Sequence, residues 1–140
     1  MTVVLDSNVV IALALDARRA PAVERRLREW EEARETLHAP SLFRYEVANA
    51  LTRNIAAGAI DASDAKSAWE RIVAIEVRLH GLTDGPSVVA VAQKLQRESA
   101  YDASYIVLAQ ELDAELWTLD GPLARNASSA DLPVRLIEVT

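Results

Sequence analysis

Apolar positions follow two rhythms along this chain. Short unbroken apolar runs alternate with longer stretches in which apolar residues recur every three or four positions. Residues 2–5 form the first run, too short and continuous to alternate, and predict a buried strand. Residues 9–15 then predict a short helix. Residues 21–33 predict a second, with Pro21 in its first turn and Val23, Leu27 and Trp30 on one face. A short strand over 37–39 is stopped by Pro40. Ser41 is placed to cap a third helix over 42–57, which Gly58 ends.

The second half continues the alternation. A fourth helix begins after Asp61 or Ser63 and runs to about Ile75, and residues 77–79 predict a strand before a turn over 81–85. Residues 86–98 show helical spacing through Val88, Val91, Ala92 and Leu95, and residues 102–112 predict another helix. Strands are expected over 116–119 and 134–139, with a short helix near 122–126 between them. This alternation predicts an α/β fold with a mainly parallel sheet and helices on both faces. A helical bundle would leave the two late strands unexplained. No linker or repeat breaks the chain, so residues 1–140 read as a single domain.

Composition then narrows the chemistry. The chain has no cysteine, which removes disulfides, thiolate catalysis and zinc–thiolate sites. His38 and His80 are too few for a histidine-rich metal site, so a metal would be held by oxygen, favouring magnesium, manganese or calcium. A net charge of −6 argues against a protein that coats nucleic acid by electrostatics alone. It leaves room for an enzyme that holds phosphates through bound cations. The apolar start lacks a basic leader, carries Asp6 and Asn8, and is too short to span a bilayer. The expectation is a cytoplasmic protein with no membrane contact.

Four acids occupy positions where a sheet edge would gather them. Asp6 closes the first predicted strand and Asp120 a later one, Asp102 opens a helix, and Glu46 lies inside another. In open parallel sheets ligands bind outside the carboxyl ends of the strands. Asp6-Ser7-Asn8 fits helix capping and a ligand role alike, as do Asp102 and Asp120. Glu46 falls about 60° from the centre of the stripe formed by Phe43, Val47, Ala50, Leu51 and Asn54, a flank that suits a carboxylate aimed into a cleft. Converging carboxylates stay ionised together only when cations bind among them.

The order of Asp6-Ser7-Asn8, Glu46 within Phe43-Arg44-Tyr45-Glu46-Val47, then Tyr101-Asp102-Ala103-Ser104-Tyr105, then Leu116-Trp117-Thr118-Leu119-Asp120 resembles the PIN-domain ribonucleases. More narrowly, it is similar to the toxins of VapBC-type toxin–antitoxin systems. The resemblance implies a three-layer α/β/α sandwich with a central, mainly parallel sheet. It implies that Asp6, Glu46, Asp102 and Asp120 form an acidic pocket for one or two magnesium or manganese ions, with Ser7 and Asn8 beside it. It also implies an endoribonuclease with RNA as substrate and a small antitoxin as partner. A homodimer is implied too, with DNA contacted only through the antitoxin. Gly121-Pro122 after the last acid is stiffer than many members carry, which bears on that loop alone.

Other classes fit less well. A phosphoacceptor regulatory domain wants an acidic pair after the first strand and a lysine at a late strand end. Here Ser7-Asn8 follow Asp6, and Lys66 and Lys94 fall in predicted helices. A catalytically silent binding module would not need the full acidic set. The basic cluster Arg18, Arg19, Arg25, Arg26 and Arg28 could guide RNA, but Glu24, Glu29, Glu31 and Glu32 interleave with it, which favours a salt-bridged solvated face. Arg53, two turns beyond Glu46 on the same flank, is placed to meet a phosphate. Trp30 and Trp117 are expected in the core, Trp69 in the core or at a partner surface, and Tyr45 and Tyr101, which neighbour two of the acids, in simple packing, with substrate stacking as the alternative. His38 and His80 are expected to be structural or solvated.

Overall fold

A computed structural model describes residues 1–140 and contains five strands and seven helices. Strands β1 (Thr2–Leu5), β2 (Thr36–Pro40), β3 (Val77–His80), β4 (Glu115–Thr118) and β5 (Val134–Leu136) lie in the order β3-β2-β1-β4-β5. Every pairing is parallel. Helices α1 (Ser7–Leu15) and α2 (Ala20–Glu32) connect β1 to β2, and α3 (Leu42–Ala56) and α4 (Ala62–Val73) connect β2 to β3. Helices α5 (Gly85–Lys94) and α6 (Tyr101–Glu111) return to β4, and α7 (Gly121–Ser129) leads to β5.

Parallel crossovers are right-handed. Connections stepping outward from β1 to β3 therefore cover one face, and those stepping back from β3 to β5 cover the other. In agreement, α1 packs against α2, α3 and α4, while α5 packs against α6. The result is the three-layer α/β/α sandwich expected. Central β1 buries Val3, Val4 and Leu5, and α6 buries Ala103 and everything from Tyr105 to Ala109. A helix apolar on nearly all sides belongs inside a fold. No helix is long and apolar enough to cross a membrane.

Strand order reverses between β1 and β4, so a crevice opens at the carboxyl ends of these two neighbours. Several element boundaries differ from the sequence expectation for local reasons. Strand β2 runs through Pro40, paired with His80, because the following Ser41 N–H supplies the bond to the His80 carbonyl at 2.8 Å. Ser41 itself does not cap α3 with its side chain. Helix α5 stops at Lys94 because Gln96 adopts a left-handed backbone with φ of 55°. Strand β5 ends at Leu136, where its partner β4 ends at Thr118. Helix α7 is longer than expected, and α4 starts after Asp61, which forms a reciprocal capping box with Asp64.

Candidate active site

Asp6 occupies the N-cap position of α1, yet its side chain makes no capping bond. Its backbone N–H donates to the Trp117 carbonyl at 3.0 Å, fastening the end of β1 to β4. The carboxylate turns instead to β4. Oδ2 accepts from the Thr118 hydroxyl at 2.8 Å and from Asn8 Nδ2 at 3.3 Å. Thr118 is fully buried and acts as a hub, since its oxygen also accepts from Asn8 Nδ2 at 3.1 Å and from the Asp120 N–H at 3.0 Å. Asn8 Oδ1 in turn accepts from the Leu119 N–H at 3.1 Å. Asn8 therefore fastens the start of α1 to the end of β4, and Ser7 is buried beside it.

Glu46 lies on the flank of α3, half-buried, as its offset from the Phe43–Val47–Ala50–Leu51 stripe predicts. The Tyr105 hydroxyl donates to its Oε1, and the Ser7 hydroxyl lies near the same carboxyl. Asp102 stands in the first turn of α6 without capping it, and Arg97 approaches its Oδ2 at 3.9 Å. Asp120 does cap: its Oδ1 accepts from the Leu123 N–H at 3.0 Å at the start of α7. Thr118, Tyr105, Arg97 and the Leu123 N–H thus fall on Asp6 Oδ2, Glu46 Oε1, Asp102 Oδ2 and Asp120 Oδ1 respectively.

Burial pushes Asp6 up to about 7, against the pull of the Thr118 hydroxyl, and the neighbouring Asp102 and Glu46 charges add to the rise. Glu46 is raised first by burial and further by Asp102; the Tyr105 and Ser7 hydroxyls and the Arg53 charge oppose this. Asp102 is raised by burial and by Asp120, with Arg97 opposing. The four acids therefore form one electrostatic group, and exposed Arg53 stands within its reach. Burial and the Glu46 bond hold the Tyr105 phenol protonated far above neutral pH. No three acidic or histidine side chains close into a ready-made ion cage. The donor set is carboxylate and hydroxyl oxygen, which suits magnesium or manganese.

Thr118 and Tyr105 belong to this site, and the sequence reading assigned neither a role. Each left a signal: a buried hydroxyl in an apolar strand or helix must find a partner, and Tyr105 lies one turn beyond Asp102. Tyr45 and Tyr101, expected to pack, are instead exposed, at 79% and 65%. Trp30 is buried as expected, but Trp117 is only half-buried, edge-on to Trp30 at 5.6 Å and covered by Arg26 and Arg135. His38 and His80 meet each other at 2.8 Å across β2 and β3, a structural role. In the arginine-rich stretch, Arg26 pairs with Glu29 and Arg19 with Asp16, while Glu24 pairs with Arg71 of α4.

Residues 3–128 match the PIN domain family. Similar proteins include Ribonuclease VapC3 of Pyrobaculum aerophilum, 32% identical over 132 residues that span 90% of this chain and 95% of that protein. Ribonuclease VapC3 of Mycobacterium tuberculosis is 35% identical over 130 residues, 91% of this chain and 89% of that protein. Among solved structures, PAE2754 from Pyrobaculum aerophilum superposes with a TM-score of 0.68 at 24% identity, covering 90% of this chain and 79% of that one. VapBC2 from Rickettsia felis, bound to a DNA fragment from their promoter, gives a TM-score of 0.71 at 13% identity, covering 99% and 100%. Those two likenesses show a shared fold. The matched residues and the relatives together place this chain in the PIN-domain family, within the branch that holds the VapC ribonucleases.

Proposed function

We propose that this chain is a magnesium- or manganese-dependent endoribonuclease, the toxin of a toxin–antitoxin pair. The observation that carries the proposal is the way the four acids are held. Contacts from Thr118, Tyr105, Arg97 and the α7 backbone fall on Asp6 Oδ2, Glu46 Oε1, Asp102 Oδ2 and Asp120 Oδ1, so these holders leave a second oxygen on each acid that they do not use. Asp6, Glu46, Asp102 and Asp120 would hold the ion at the β1–β4 crevice. Buried Asp6 and half-buried Glu46 are raised first by burial and further by acidic neighbours, Asp102 and Glu46 for Asp6 and Asp102 for Glu46, a condition that a bound cation relieves. When bound, the ion supplies an activated water and charge compensation at the leaving oxygen of the phosphodiester.

The chain's own residues set the geometry. Thr118 and Asn8 fix the Asp6 rotamer, and Tyr105 fixes Glu46. Arg53 stands where a phosphate oxygen beside Glu46 would meet a positive charge. The names of the VapC relatives support RNA as substrate and a small antitoxin as partner. On the same reading the protein is a cytoplasmic homodimer that touches DNA only through that antitoxin. The phosphoacceptor alternative loses further ground, because Lys66 and Lys94 are exposed on α4 and α5, away from any strand end.

The test is cleavage of total RNA by antitoxin-free protein with manganese, magnesium or chelator, beside Asp6→Asn. Discrete fragments that require the metal and vanish in the variant are expected. Metal-independent cutting, or full activity in Asp6→Asn, would remove the site assignment.

A further inference from the structure

Seven aromatic residues occur in the chain, and the fold leaves two of them exposed. Phe43, Trp30 and Tyr105 are buried, and Trp69 and Trp117 are half-buried. The two exposed rings are Tyr45 and Tyr101, at 79% and 65%. Each immediately precedes an acid of the pocket: Tyr45 precedes Glu46, and Tyr101 precedes Asp102. Both stand near the start of a helix that opens at the carboxyl edge of the sheet, Tyr45 in α3 and Tyr101 as the first residue of α6. Between these helix starts runs a groove of about 270 Å³, lined by Pro40, Leu42, His80, Leu82, Tyr101 and Ser104. Leu82 is also exposed, at 68%.

We infer that Tyr45 and Tyr101 are stacking platforms for unpaired bases flanking the phosphodiester to be cut. The inference rests on the nuclease reading above and deepens it by naming two residues of this chain that would hold the bases on either side of the cut. Charge supplies the argument for stacking. With a net charge of −6 and four carboxylates at the pocket, the overall field repels a phosphate backbone, so Arg53 and a bound cation gain from contacts of another kind. Base–aromatic stacking is indifferent to that charge and tolerant of sequence, because every base presents a π face. In a duplex the bases are stacked on one another and withheld from such a platform. Placing one ring beside each of two acids that both face Asp6 would centre the backbone between two stacked bases over the carboxylates.

The experiment measures binding and cleavage of a short single-stranded oligoribonucleotide, and of the same oligomer annealed to its complement. The proteins are wild type, Tyr45→Ala, Tyr101→Ala and the ring-retaining Tyr45→Phe and Tyr101→Phe. Manganese affinity is read by calorimetry and oligomeric state by light scattering. Each alanine is expected to weaken single-strand binding about tenfold and to raise KM far more than it lowers kcat. Phenylalanine should restore both, with manganese affinity unchanged throughout. The duplex should bind more weakly than the single strand. Wild-type KM in both alanine variants, with metal-dependent cleavage intact, would overturn the stacking role and leave the nuclease standing. A dimer that falls to monomer in the alanine variants would overturn it in favour of a contact between copies. Wild-type protein that neither binds manganese nor cuts RNA would take both readings down together.

Discussion

An aspartate at a helix N-cap ordinarily turns its oxygens to the first free N–H groups of that helix. Asp6 turns away from α1 and keeps company with Thr118, Asn8 and two other acids, at a cost to stability. In the folded, metal-free chain it stays neutral up to about pH 7, whereas in the unfolded chain it ionises near 3.8. The folded state therefore binds the extra proton between those values, so stability falls as pH rises through them. Metal-free Asp6→Asn, which has no proton to lose, should exceed wild type at pH 8 by on the order of 4 kcal/mol. That gap should narrow as pH falls towards 5. Manganese should raise the melting temperature of wild type and leave the variant unmoved. Denaturation at several pH values with and without metal checks this, and a gap independent of pH would contradict it. Asp6 and Glu46 were legible in the sequence because one ends an apolar strand and the other leaves an apolar stripe. Their holders were not: Thr118 is 112 positions from Asp6, and Tyr105 is 59 from Glu46. Local pattern carries no information about which hydroxyl closes over which acid.

At the scale of elements, Asp120 combines two tasks that substitution can separate. It caps α7 through Oδ1, and it adds to the negative field on Asp102. Loss of a helix N-cap costs about 1 kcal/mol, and asparagine caps as well as aspartate does. Asp120→Ala should therefore lower the unfolding free energy by about that amount, while Asp120→Asn should hold it. Both should lose RNA cleavage if the charge serves a metal. Full cleavage by Asp120→Asn would leave Asp120 as a cap alone. The elements themselves were largely visible as apolar rhythm, since seven helices and five strands lie where the pattern places them. Their ends were less so. Helix α5 stops where Gln96 turns left-handed, and β5 stops where β4 runs out of partner residues. The first depends on a backbone choice that propensity does not dictate, the second on a neighbour that adjacency in sequence does not reveal.

For the whole molecule, the decisive arrangement is β1 clasped between β2 and β4. A chain ending at Asp113 would retain Asp6, Glu46 and Asp102 but lose β4, α7 and β5. It would leave one edge of β1 bare, with its unpaired backbone groups and the apolar residues that β4 shelters. Such a truncation should show no cooperative melting and no stabilisation by manganese, as followed by circular dichroism. A cooperative transition would mean that β4 is dispensable for the fold. The same arrangement bears on how the protein is made. Thr118 follows Asp6 by 112 positions, and β1 has no partner on that edge until β4 has left the ribosome. Until then the growing polypeptide carries at most Asp6, Glu46 and Asp102, and no finished pocket. On the nuclease reading proposed above, a cutter of RNA would thus have no working site while β4 is still inside the ribosome that makes it.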